Sequence, residues 1–156
     1  MSEANDIIQA ISEQLQNYST LNYIKSWTEY EDELSLEDKA NFPYVNFDLT
    51  DFRVERAGTL SEHQAERRIY PVIIMFSNWH KEKVKVKEGK GSFKGLFDIY
   101  DDIKAAIYQD LTFGEVVNKY PFRPDFATDI SKHPNGEFWI GRAVIFFEVY
   151  KDVFFC

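Results

Sequence analysis

The chain has 156 residues, 26 acidic against 18 basic side chains, a net charge of −8 and a single cysteine. That is the length of one ordinary domain with room for a real core, and 44% apolar composition argues against disorder. One cysteine excludes an internal disulfide, a four-cysteine zinc site and a CxxC redox pair, and the acid excess argues against a general nucleic-acid binder.

The start is acidic and amphipathic, without the basic n-region and continuous apolar stretch of a signal peptide. The longest apolar runs, 72–76 and 143–147, fall far below the ~20 residues that cross a bilayer. The expectation is a soluble protein of a reducing compartment, with no membrane partner and an exposed thiol at Cys156.

Ile7, Ile8, Ile11, Leu15 and Tyr18 fall at helical spacing, which predicts a helix over 5–18 capped by Ser2 or Asn5. Residues 23–30, around Trp27, have strand-like composition. The acidic segment 29–38 reads as exposed, with Ser35 and Asp38 marking one helical turn. Strands are expected over about 43–56 and 68–79, separated by a loop or hairpin end at 57–65. In the first, Val45, Phe47 and Leu49 alternate with Asn46 and Asp48; the second carries the run YPVIIMFS. Pro71 cannot donate a ladder bond, so it belongs near the strand's start or at an irregularity.

Residues 81–91 read as a basic extended arm, with Lys81, Lys83, Lys85 and Lys87 on one face. Between 81 and 94 the net charge is +4, so the rest of the chain carries −12. Ser92 is the expected cap of a second helix over 93–111, whose stripe is Leu96, Tyr100, Ile103, Ile107 and Leu111. A C-terminal hairpin over 126–150 follows, turning at Asn135-Gly136. Its last strand has a core face (Trp139, Gly141, Ala143, Ile145, Phe147, Val149) and a mixed, aromatic face (Phe138 to Tyr150) suited to partial cover by another subunit. The expected fold is one α+β domain over 1–156: a mixed or antiparallel sheet with two main helices packed on one side.

No motif for catalysis, cofactor or metal stands out. His63, His80 and His133 are far apart, and Glu62, His63 and Glu66 read as a solvated cluster. The phosphate-loop and Gly-x-Ser-x-Gly patterns are missing, and Asp101-Asp102 and Asp48 with Asp51 read as solvent-facing acids. The expectation is a non-enzyme without cofactor. The lysine arm reads as a soluble segment guarding a sheet edge, a dock for an acidic patch on a neighbouring copy, or a contact for nucleic acid. Without regular aromatic interleaving, the last is the weakest of these. Aromatic content of 17% favours an oligomer.

The order of elements resembles the tail-terminator and tail-completion proteins of long-tailed bacteriophages and prophages. It rests on the helix carrying Ile7-Ile8 and Leu15, the strand opened by Pro43 to Phe47, the Tyr70–Phe76 strand after a polar loop, and the charged 81–91 segment. The helix from Leu96 to Leu111 and the closing strand Gly141–Tyr150 complete it, so nearly the whole chain is covered, while the acidic 29–38 segment departs from the pattern. The resemblance implies a structural virion protein assembled in the bacterial host cytoplasm. It would form a ring, typically a hexamer, that caps the tail tube and joins it to the head connector. It carries no active site; Lys81, Lys83, Lys85, Lys87 and the 57–65 loop become the first candidate contacts. The alternatives are a monomeric acidic adaptor or immunity-type module, and a small enzyme built around His80 or His133.

Overall fold

The computed structural model describes residues 2–30, 42–56 and 64–155. Expectations for the acidic segment past Tyr30, its Ser35–Asp38 turn, most of the 57–65 loop, Glu62, His63 and Cys156 lie outside the described residues. The elements are α1 (Glu3–Gln16), β1 (Ser26–Glu29), β2 (Tyr44–Leu49), β3 (Arg53–Arg56), β4 (Gln64–His80), α2 (Lys83–Glu88), α3 (Leu96–Tyr108), β5 (Asp125–Lys132) and β6 (Trp139–Phe155). Among the described residues they form one six-stranded mixed sheet in the order β1-β2-β4-β6-β5, with β3 on the outer part of β4. Only the β1–β2 pair is parallel. This is the expected α+β domain.

β4 and β6 are the spine. They pair antiparallel over their whole 17-residue lengths, from Gln64 opposite Phe155 to His80 opposite Trp139. Both outrun their expected boundaries, and Gln64 and Ala65, expected in a loop, begin β4. Along its other edge β4 is shared: β3 pairs with residues 66–69 and β2 with 72–77. Pro71 sits in the gap between them, where its missing N–H interrupts no ladder, and its carbonyl accepts from the Thr50 N–H at 3.1 Å.

One face of the sheet carries Val45, Phe47, Val72, Ile74, Phe76, Ala143, Ile145 and Phe147, all buried. Ile7, Ile8, Ile11 and Leu15 of α1 and Leu96, Ile99, Ile103 and Ile107 of α3 pack into the same core. Full burial stabilises each such aliphatic side chain by about 1.5–3 kcal/mol, which fixes both helices to this side. Gln14 reaches across, its Nε2 donating to the Ala106 carbonyl at 2.9 Å and the Asp110 carbonyl at 3.0 Å, so α1 is bonded to the last turn of α3 and the turn that follows it.

The helix limits have local causes. Ser2 Oγ accepts from the Asn5 N–H at 3.2 Å, so α1 starts two residues before the expected boundary. Ser92 does not cap α3. Lys90 and Phe93 close a turn on each other, and the cap is Gly95, whose N–H donates to Asp98 Oδ2 at 3.0 Å. Beyond Tyr108, Asp110 accepts from the Thr112 N–H, the Thr112 hydroxyl and the Gly114 N–H, and these bonds hold its carboxyl below the usual range. That turn takes Leu111 out of the helix.

The principal correction concerns residues 81–91. They do not form an extended arm, because Lys83–Glu88 is a short helix. Val86 is fully buried against Gly141 of β6 and Leu96 of α3. Inserting that one apolar side chain into the core outweighs the strand-like Lys-Val alternation.

Candidate interaction surface

The second face of the sheet is built by three registered rows. Asp48, Ile73, Phe146 and Asp125 form one; Asn46, Met75, Val144 and Ala127 the next; Tyr44, Ser77, Arg142 and Asp129 the third. Ile73, Met75, Val144 and Phe146 therefore make an apolar centre flanked by Asp48 on one side and by Asp125 and Asp129 on the other. Val144 is 36% and Phe146 37% exposed, a large apolar pair open to solvent.

The two ends of this face are covered locally. At one end, Trp79 meets Phe138 edge-on at 5.4 Å, and His133 stacks on Phe138 at 4.4 Å. At the other, Tyr120 stacks on Tyr150 at 3.8 Å, with Arg67 over the Tyr150 ring at 5.4 Å. The hydrogen bond between these two tyrosines and burial push the Tyr150 phenol up to about 12. Between these clusters Val144 and Phe146 are exposed, while Ile73 and Met75 are half-buried.

Charge is sorted along the strands. Lys25, Lys81, Lys83, Lys85, Lys87, Lys90, Lys94 and Lys132, eight of the chain's twelve lysines, gather around the sheet end where His80 meets Trp139. Among the described residues two of them hold ion pairs: Lys85 with Glu82, and Lys94 with Asp102 at 3.3 Å. Three arginines of the opposite end are tied down. Arg53 pairs with Glu148, Arg67 with Asp152 at 2.8 Å, and Arg68 with Glu66 at 2.7 Å and Glu3 at 3.3 Å.

The four lysines expected on one face of an arm diverge once α2 is helical. Lys81 is exposed beyond β4. Lys83 and Lys132 lie over the Trp139 ring at 5.1 and 5.7 Å. Lys87 lies over Phe97 at 5.3 Å, and Lys85 is held by Glu82, whose carboxyl that pairing lowers. Lys25 and Lys132 join the group only through strand register, so the sequence alone gave no sign of them.

The two described histidines each accept from the turn that follows them. His80 Nδ1 accepts from the Glu82 N–H at 2.9 Å, and His133 Nδ1 from the Asn135 N–H at 3.2 Å. Asp102, expected to face solvent, is half-buried and accepts from the Tyr23 hydroxyl at 2.7 Å. Burial and that bond raise the Tyr23 phenol well above its usual range. Among the described residues no group of three or more His, Cys, Asp and Glu could hold a metal, and no helix is long and apolar enough to cross a membrane.

No protein-family description and no curated protein matches this sequence. Among solved structures, the chain is similar to a chain in the virion of a native gene transfer agent particle at 12% identity. The alignment covers 92% of this chain and 94% of that one, with a TM-score of 0.34.

Proposed function

We propose that this chain is a non-enzymatic structural protein of a phage-like particle, and within that class a tail terminator. Copies form a ring, six in the family it resembles, that caps the tail tube and joins it to the head connector, assembled in the bacterial host cytoplasm. The apolar centre of the sheet, with Val144 and Phe146 exposed beside half-buried Ile73 and Met75, carries the reading: an open face of this kind marks a surface that another protein covers. The sorted charge adds to it. A lysine-rich end and an acid-flanked sheet face on one chain can meet head to tail, and head-to-tail contacts close into rings when the rotation closes. Apart from residues 81–91, which hold a short helix where the resemblance expected an extended segment, the element order follows the pattern on which the resemblance rests.

Electron microscopy of the purified protein mixed with isolated phage tail tubes tests the assignment. Rings seated at one end of each tube are expected. Tubes with bare ends, at protein concentrations where the chain is assembled, contradict it. A chain that stays monomeric but binds a single soluble partner would instead be an adaptor.

A further inference from the structure

A cleft of about 490 Å³ opens at the lysine-rich end, apart from the open sheet face. Among the described residues its walls are Phe42, Pro43, Trp79 and Phe93, and its charged lining groups are Lys25, Lys81 and Lys94, with no carboxylate side chain among them. The walls are fixed. Asn78 Nδ2 donates to the Lys94 carbonyl at 2.7 Å, and His80 stands edge-on to Phe93 at 4.6 Å. Lys25 and Lys81 are exposed, and among the described residues neither has an ion-pair partner. In a chain of net charge −8, an aromatic-walled cleft whose charged lining groups among the described residues are ammonium groups selects its ligand by charge and shape together.

We infer that this cleft receives an acidic peptide segment bearing an aromatic side chain, supplied by a partner protein. The aromatic ring packs against the half-buried Trp79 and Phe93, with buried Phe42 behind them, and the flanking carboxylates meet Lys25 and Lys81. A phosphate ligand fits less well. The cleft holds no arginine for bidentate contact. The nearby start of α3, which would otherwise offer its backbone N–H groups, is taken by the chain's own Asp98 on the Gly95 N–H. Lys94 is already shared with Asp102, so it sets the sign of the field while Lys25 and Lys81 make the contacts. The cleft lies at the same lysine-rich end that the proposed head-to-tail contact uses, but peptide binding is read at Trp79 on the unassembled chain and so fails or holds separately from ring formation.

Trp79 is one of three tryptophans, so its indole N–H resonance reports on the cleft while those of Trp27 and Trp139 serve as internal controls. W79F assigns the signal. The probes are the blocked peptides Asp-Glu-Phe-Glu-Asp, Asp-Glu-Ala-Glu-Asp and Lys-Lys-Phe-Lys-Lys, and inorganic phosphate, each titrated to millimolar concentration. The first peptide should move the Trp79 resonance saturably. The alanine peptide should bind at least tenfold more weakly, and the lysine peptide should leave the resonance in place. K25E/K81E should weaken the first peptide at least tenfold without changing the melting curve, since both lysines are exposed. A Trp79 signal unmoved by the first peptide overturns the inference, as does equal binding by K25E/K81E. Saturation by phosphate with equal affinity would make this a simple anion site and overturn it too.

Discussion

Gly141 of β6 lies directly beneath Val86 of α2: a Cβ at position 141 would stand 2.3 Å from Val86 Cγ1 and 2.8 Å from Leu96 Cδ1. The missing side chain is what lets a six-residue helix dock on the sheet, and with it the lysines of that end. G141A should destabilise the fold by roughly 1–3 kcal/mol through overpacking. V86A in the same chain should recover part of that loss, because the nearest clashing atom is gone. Denaturant titration of the two single variants and the double checks it; strictly additive losses would show that the two positions do not share one space.

Ile103 is fully buried in the core stripe of α3. I103D places a carboxylate there without a partner and should cost more than about 3 kcal/mol, enough to abolish cooperative melting. A circular-dichroism melt superimposable on the wild type would mean that α3 does not face the core.

Stability should fall at alkaline pH for an identifiable reason. Burial and the bond to Asp102 raise the Tyr23 phenol, and burial and the bond to Glu3 raise that of Tyr70. Above the ordinary phenol value of about 10 the unfolded chain gives up these protons while the folded chain keeps them. Their contribution is therefore complete below that pH and is lost as pH rises. Y23F should lose less stability than the wild type between about pH 10 and pH 11.5, read from denaturant midpoints. Parallel losses would remove Tyr23 from the alkaline dependence.

Charge reversal at Lys83 and Lys87 tests the lysine-rich end in assembly. Lys83 is exposed and Lys87 half-buried, and both lie over aromatic rings without ion-pair partners among the described residues, so K83E/K87E should leave the melting temperature within a few degrees. It should lower the sedimentation coefficient of the assembled species and flatten its salt dependence. An unchanged coefficient at low salt would take these lysines out of the assembly contact.

The sequence revealed those elements whose periodicity and burial agree. The stripe of α3, the alternation of Val45, Phe47 and Leu49, and the two faces of β6 each follow from one element against one core, and each is present in the fold. Pro71 likewise lies at the irregularity its chemistry demands. The segment 81–91 was misread because Lys-Val alternation is a local signal, while the helix there depends on a hole at Gly141, some 55 residues away. The lysine-rich end was legible only in its 81–94 portion. Lys25 and Lys132 reach it through the parallel β1–β2 pair and the β5–β6 register, and pairing partners are not written in any single strand. The second face of β6 gave the exposed Val144 and Phe146, but not Ile73 and Met75, which stand opposite them on β4. In the sequence those two belong to one apolar run, with nothing to separate its covered side from its open side.

We propose that another copy of this chain covers the centre of the sheet around the exposed Val144 and Phe146. Light scattering coupled to size exclusion, over a range of protein concentrations and at two salt levels, tests it on the wild type and on V144D/F146D. Both side chains are more than a third exposed, so the double variant should fold and melt cooperatively. The account predicts a discrete ring-sized species for the wild type, weakened by salt, and a monomer for V144D/F146D. A wild type that remains monomeric at every concentration and salt level, or a V144D/F146D that assembles as the wild type does, would contradict it.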